Sequence, residues 1–221
     1  MYKNIAPKLK TNLDTSSDIF IKNKDMMLGK INYLKSLLKE AEMGGGQYHL
    51  DRLAAKGKMP VRERVKNLLD QDTPFLELSP YAAWGTSYTV GGGCVGGIGV
   101  VAGKECVIFA NDPSVLGGAM SVYVWEKWMR CIEVARDNRL PFINFVESAG
   151  ADLRGRQSDT SNNKARQLDN FHFASSGRSF YEMTELSKLK IPVVSDDRMT
   201  VKVDHCVRSC IAGFSDQTNQ Y

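Results

Sequence analysis

The sequence predicts an α/β fold: a sheet with helices on both faces, preceded by a helical amino-terminal arm. Three observations carry this. Short, largely apolar runs at Cys106–Ala110, Phe142–Val146 and Ile191–Val194 read as buried strands. Between them lie longer segments whose apolar residues recur at helical spacing. Glycine clusters follow two of the strands, so the order is strand, glycine-rich turn, helix, strand. That is βαβ connectivity, which places ligand sites at the carboxyl ends of strands.

Residues 16–43 are expected to be helical, with Ile19, Phe20, Met26, Met27, Ile31, Leu34, Leu37 and Leu38 between lysines and acids. Gly44-Gly45-Gly46 ends that helix, because glycine has little helical preference. Pro60 suits the first turn of a second helix whose stripe is Val61, Val65, Leu68 and Leu69. Phe75–Leu78 reads as a strand. The glycines at 91–93, 96, 97 and 99 break the next stretch into short strands, and Ile98–Val101 and Cys106–Ala110 form a hairpin about Ala102–Glu105. Residues 121–136 form a helix lined by Val122, Trp125, Trp128, Met129, Ile132 and Ala135, with Glu126 and Arg130 as an i,i+4 pair. A further helix is expected near Phe171–Leu189, entering the strand at Ile191. Past Ser195 no sustained apolar period fits, so the tail reads as poorly structured. The expected divisions are a helical arm at 1–43, a partial domain at 44–195 and a divergent or disordered tail at 196–221.

The 221 residues are 43% hydrophobic and 24% charged, an ordinary globular balance. No apolar run of about 18 residues is present, so no membrane helix is expected. The first 13 residues lack the apolar core of a secretory signal. No Arg precedes Arg52, which argues against a mitochondrial leader, and a cytoplasmic location is expected, with the mitochondrial matrix as the alternative. Five scattered cysteines read as reduced thiols. The net charge of +4 is concentrated early: residues 1–70 hold 14 Lys and Arg against 8 Asp and Glu. A solvated helical face accounts for this, and no basic–aromatic interleaving or finger spacing points to nucleic acid. His205, Cys206 and Cys210 lie close together, but a zinc site needs a fourth ligand, so no metal is expected.

Two segments carry chemistry. In PFINFVESAGADLR (141–154) a strand empties into Ser148-Ala149-Gly150-Ala151. Small residues admit a ligand close to the backbone, and outward N–H groups at such a turn can bind developing negative charge. Gly150 and Ala151 are the candidate amide donors of an oxyanion hole, with Ser148 and Ala149 lining it. A plain tight turn is the bland alternative. In NDPSVLGGAM (111–120), Gly117, Gly118 and Ala119 either approach the same ligand or merely permit helix–sheet packing. His49, His172 and His205 are dispersed and form no triad.

RLAAKGKMPVRERV (52–65), FANDPSVLGGAMS (109–121), ARDNRLPFINFVESAGADLRG (135–155) and HFASSGRSFYEMTELSKLKIPVVS (172–195), read together, resemble the amino-terminal domain of the carboxyltransferase (beta) subunit of biotin-dependent acyl-CoA carboxylases, of the propionyl-CoA and methylcrotonyl-CoA type. The resemblance implies a crotonase-like fold, binding of an acyl-CoA, and transfer of carboxylate from carboxybiotin carried by a biotin carboxylase and carrier partner. It implies a homo-oligomer of carboxyltransferase subunits and no cofactor bound directly by this chain. Backbone donors and orientation do the work in such chemistry, so no nucleophile or general base is needed. Two departures stand out: Ala149 replaces a glycine of the family's Ser-Gly-Gly-Ala turn, and Asp196-Asp197-Arg198 stands where the family has a second glycine-rich turn. The expectation is a chain inactive alone. The alternatives are a crotonase-like hydratase or isomerase using Glu147 or Asp152, and a non-catalytic subunit.

Overall fold

The computed structural model describes residues 10–152, 173–196 and 203–213, without the side chains of 173–176 and 203–206. The chain divides into two compact units, Met1–Leu37 and Leu38–Tyr221. Within the first, most of helix α1 (Asp18–Met43) runs with its side chains largely exposed, Ile19, Met26 and Met27 among them.

The second unit is a five-stranded mixed sheet in the order β1-β2-β3-β4-β5. β1 (Leu76–Glu77), β2 (Cys94–Val101) and β3 (Lys104–Asn111) are antiparallel neighbours. β4 (Phe142–Phe145) and β5 (Val193–Asp196) then run parallel to β3, joined through α4 (Val122–Asn138) and α5 (Phe173–Lys188). The expected βαβ units are present. The β2–β3 hairpin closes on Ala102 and Gly103 alone, both at positive φ, which suits the twist of the paired strands.

Alternation along the strands sorts two cores. Cys106, Ile108, Ala110, Ile143 and Phe145 pack with α3 (Val61–Leu68) and α6 (Val203–Gly213) on one face. Val107, Phe109 and Phe142 pack with α4 and with Leu186 of α5 on the other. Helices therefore cover both faces, as expected. Ser121 caps α4 by accepting from the Val124 N–H at 3.3 Å, and Arg139 ends it in a left-handed conformation.

Three expectations are corrected. The glycines at 96, 97 and 99 do not break the chain: they lie inside one eight-residue strand. A Cβ at Gly97 would lie 2.5 Å from the Leu76 carbonyl, and one at Gly99 2.3 Å from Leu69, so these glycines admit neighbours and do not mark turns. A short helix, α2 (Gln47–Ala55), forms where none was expected. Arg130 pairs with Glu133 at 3.4 Å and not with Glu126. The tail is also structured in part. Asp196 extends β5, and α6 sets Val207 (3% exposed) and Ile211 (0%) into the first core. Arg208 of α6 donates to the Leu68 carbonyl at 2.7 Å and pairs with Asp70, whose carboxylate also accepts the Ala102 and Gly103 amides of the hairpin. Within the expected divergent or disordered tail, Asp196 and 203–213 thus lie in regular elements. Residues 197–202 and 214–221 lie outside the described residues.

Candidate functional site

The parallel β3–β4–β5 register brings the carboxyl ends of β3 and β4 side by side, and both glycine-rich segments leave from there. The structure brings the two sequence candidates together. Ala149 donates its N–H to the Gly117 carbonyl at 3.0 Å, Met120 to the Gly150 carbonyl at 2.8 Å, and Asp152 to the Met120 carbonyl at 3.1 Å. Met120 and Ala151 thereby form an isolated parallel bridge.

This pattern decides which amides are available. The Ala149 N–H is consumed by Gly117. In a parallel bridge Met120 bonds to the residues on either side of Ala151, so the N–H of Ala151 faces away from Met120. It makes no hydrogen bond among the described residues. The Gly150 N–H is held at 3.1 Å by the Ser148 hydroxyl, a local acceptor that a rotamer change can withdraw. Gly150 sits at φ +96 with open space beyond its α-carbon, and Ser148, Ala149, Gly150 and Ala151 are all exposed.

The second segment divides into two roles. Gly117 is exposed beside Ala149, with Leu116 in front of it 40% exposed. Gly118 is buried: a Cβ there would lie 1.9 Å from the Glu147 carbonyl oxygen, so its missing side chain lets the two turns touch. Its own carbonyl accepts from the Asn111 amide at 3.3 Å. Packing therefore accounts for Gly118, while Gly117 and the half-buried Ala119 stay at the rim.

Sequence reasoning missed the ion pairs behind the turn. Lys58, in the loop between α2 and α3, pairs with Glu147 Oε1, while Oε2 is buried without a hydrogen-bond partner among the described residues. Arg64 of α3 is 4% exposed, lies 4.0 Å over the Phe145 ring, and pairs with Asp196 at 3.2 Å. Tyr88 donates to Asp152 Oδ2 at 3.4 Å. The only available signal was the charge pattern of the 52–65 segment. No group of three or more His, Cys, Asp or Glu able to hold a metal occurs among the described residues. The side chains of His205 and Cys206 lie outside them, as do His172, Asp197 and Arg198.

Comparison with known proteins settles the family. The carboxyl transferase domain model matches residues 52–196. The chain belongs to the carboxyl transferase domain family. It is 38% identical over 187 residues to a probable biotin-dependent acyl-coenzyme A carboxylase beta2 subunit of Mycobacterium tuberculosis, over 85% of this chain and 33% of that protein. The beta subunit of P. aeruginosa geranyl-CoA carboxylase superposes with a TM-score of 0.72 at 29% identity, covering 86% of this chain and 34% of that one. Transcarboxylase 12S, a hexamer solved with methylmalonyl-coenzyme A bound, superposes at 0.60 and 25% identity over 73% of this chain and 30% of that one. The chain therefore has the crotonase-like fold of carboxyltransferase beta subunits and spans about a third of the length of the curated relatives it matches. No helix among its described residues is long and apolar enough to cross a membrane.

Proposed function

We propose that this chain forms the amino-terminal, thioester-facing part of an acyl-CoA carboxylase carboxyltransferase. The reaction is transfer of carboxylate from carboxybiotin to the α-carbon of an acyl-CoA. The supporting observation is the exposed turn Ser148–Ala151 at the end of β4, where the Ala151 amide is directed away from its bridge partner and, among the described residues, the Gly150 amide is held only by a hydroxyl. Carboxybiotin, carried by a partner subunit, supplies the carboxylate and the base for the α-proton. The chain's own part is electrostatic. The amides of Gly150 and Ala151 receive the thioester oxygen as negative charge develops on it, and Gly117 and Ala119 leave room for the pantetheine arm. Preorganised donors of this kind are worth roughly 3–4 kcal/mol each in transition-state stabilisation.

Asp196 closes β5 with a charged side chain locked to Arg64 and a carbonyl that accepts the Val146 N–H at 2.9 Å. In the sequence, Asp196-Asp197-Arg198 stands where the family has its second glycine-rich turn. On this reading the chain lacks the second donor turn, turnover by the chain alone falls by a factor of about 100 to 1000 or more, and partner carboxyltransferase, biotin carboxylase and carrier subunits complete the catalyst. The hydratase or isomerase reading is weaker here, since Glu147 is held by Lys58 and Asp152 by Tyr88.

Purified chain is titrated with propionyl-CoA and then supplied with a biotin carboxylase and carrier. Saturable binding with little carboxylation is the expected result. Carboxylation at a rate typical of complete enzymes refutes the reliance on a second donor turn, hydration of crotonyl-CoA supports the hydratase reading, and no binding of any acyl-CoA ends the proposal.

A further inference from the structure

The segment 52–65 has no role in the chemistry described so far, yet it sends three cations into the sheet. Arg62 grips Glu77 of β1 at 2.8 and 3.0 Å, Arg64 reaches Asp196 at the end of β5, and Lys58 reaches Glu147 just past the end of β4. We infer that the Lys58–Glu147 ion pair is a positioning device for the donor turn, fixing where the Gly150 and Ala151 amides stand; the inference rests on the thioester-binding reading above.

Three features set this pair apart from an ordinary surface contact. It joins residues 89 apart in sequence and ties the α2–α3 loop to the residue immediately before Ser148. Glu147 is also the point where the two glycine-rich turns meet, since its carbonyl lies against the α-carbon of Gly118. A shift of its side chain therefore shifts the main chain that leads into the donors. Finally, the Glu147 side chain is only 16% exposed, and its Oε2 is buried without a hydrogen-bond partner among the described residues. Burying a half-satisfied carboxylate opposes folding, and an apolar pair of similar shape would be as stable or more so. Stability alone does not account for the pair, whereas close placement of a turn does. Neither side chain touches the substrate in this scheme, so both are positioning residues.

The test uses the full chain, labelled with 15N-glycine and 15N-alanine, as wild type and as Lys58→Met, Glu147→Leu, the double variant and Lys58→Arg. The readouts are propionyl-CoA affinity by calorimetry, the Gly150 and Ala151 amide resonances, and thermal unfolding. Each single variant is expected to bind propionyl-CoA about tenfold more weakly or worse, with displaced Gly150 and Ala151 resonances, and the double variant to match the weaker single rather than wild type, as for one coupled unit. The double variant carries no buried charge and is expected to melt no lower than wild type, while Lys58→Arg keeps both affinity and resonances. A folded double variant with wild-type affinity and unmoved resonances overturns the inference. If wild type itself fails to bind, the thioester reading falls, and the clamp is judged on the resonances alone: displacement supports it and constancy overturns it.

Discussion

Replacing Gly118 by alanine puts a methyl group into the tightest contact between the two glycine-rich turns. The added Cβ would sit 1.9 Å from the Glu147 carbonyl oxygen and 3.0 Å from its carbonyl carbon. A relaxed C···O contact is about 3.3 Å, so the two main chains must part by roughly 1.4 Å. Neither atom is the end of a flexible side chain that can swing away. Parting the turns stretches the Ala149–Gly117, Met120–Gly150 and Asp152–Met120 hydrogen bonds together, each worth about 1 kcal/mol. The residue also sits at φ +74, where a side chain adds about 1–2 kcal/mol of strain. The expected loss is about 3–5 kcal/mol by urea denaturation, with acyl-CoA binding abolished in any folded fraction. Gly117→Ala is the control: its φ is +64, but its Cβ would meet only the Ala149 methyl at 3.4 Å, so about 1 kcal/mol is expected. If Gly118→Ala is as mild as Gly117→Ala, the two turns do not pack as described and do not build one site.

Other consequences are equally direct. Ile211 is fully buried in the first core, so Ile211→Ala is expected to cost about 2–5 kcal/mol in the same assay; a silent substitution would mean that α6 is not part of the fold. The Gly103 amide, helped by Arg208 and the Ala102 amide and opposed by desolvation, holds the Asp70 carboxyl below the usual carboxylate range. Its contribution is present above the unfolded-state value of about 3.9 and is lost as pH falls through the lower folded value, so Asp70→Asn should flatten the acid limb of the stability–pH profile. An unchanged acid limb would contradict that. Burial pushes the Cys94, Cys106 and Cys131 thiols up to about 12, so a thiol reagent at pH 8 should label the exposed Cys210 and leave these three unmodified until denaturant is added. Labelling of the three in the native state would show that the sheet opens readily.

The sequence made the βαβ half of this fold legible because each of its elements carries its own signal. Apolar runs mark β3, β4 and β5, and α4 has a long amphipathic period with Ser121 to start it. The readings that failed concern residues whose role is set by distant neighbours. Gly97 and Gly99 look like breakers until Phe75, Leu76 and Leu69 are seen to need the space. Helix α6 is held by anchors, Leu68 and Asp70, that lie about 140 residues away. The site shows the same division. The Ser148–Ala151 turn was visible as small residues after a strand. That Ala149 spends its amide on Gly117, and that Gly118 serves Glu147, emerges only from the register of β3 against β4. Lys58 was marked only by the charge pattern of its segment, which does not name Glu147 as its partner.

The central claim is that the main-chain amides of Gly150 and Ala151 meet an acyl-CoA thioester. Amide resonances of the 15N-labelled chain, followed while propionyl-CoA is added, test it most directly. Gly150 and Ala151 should move with a common, saturable dependence, and Ala149, whose N–H is already bonded to Gly117, should move far less. Saturable binding that leaves Gly150 and Ala151 in place would contradict the account.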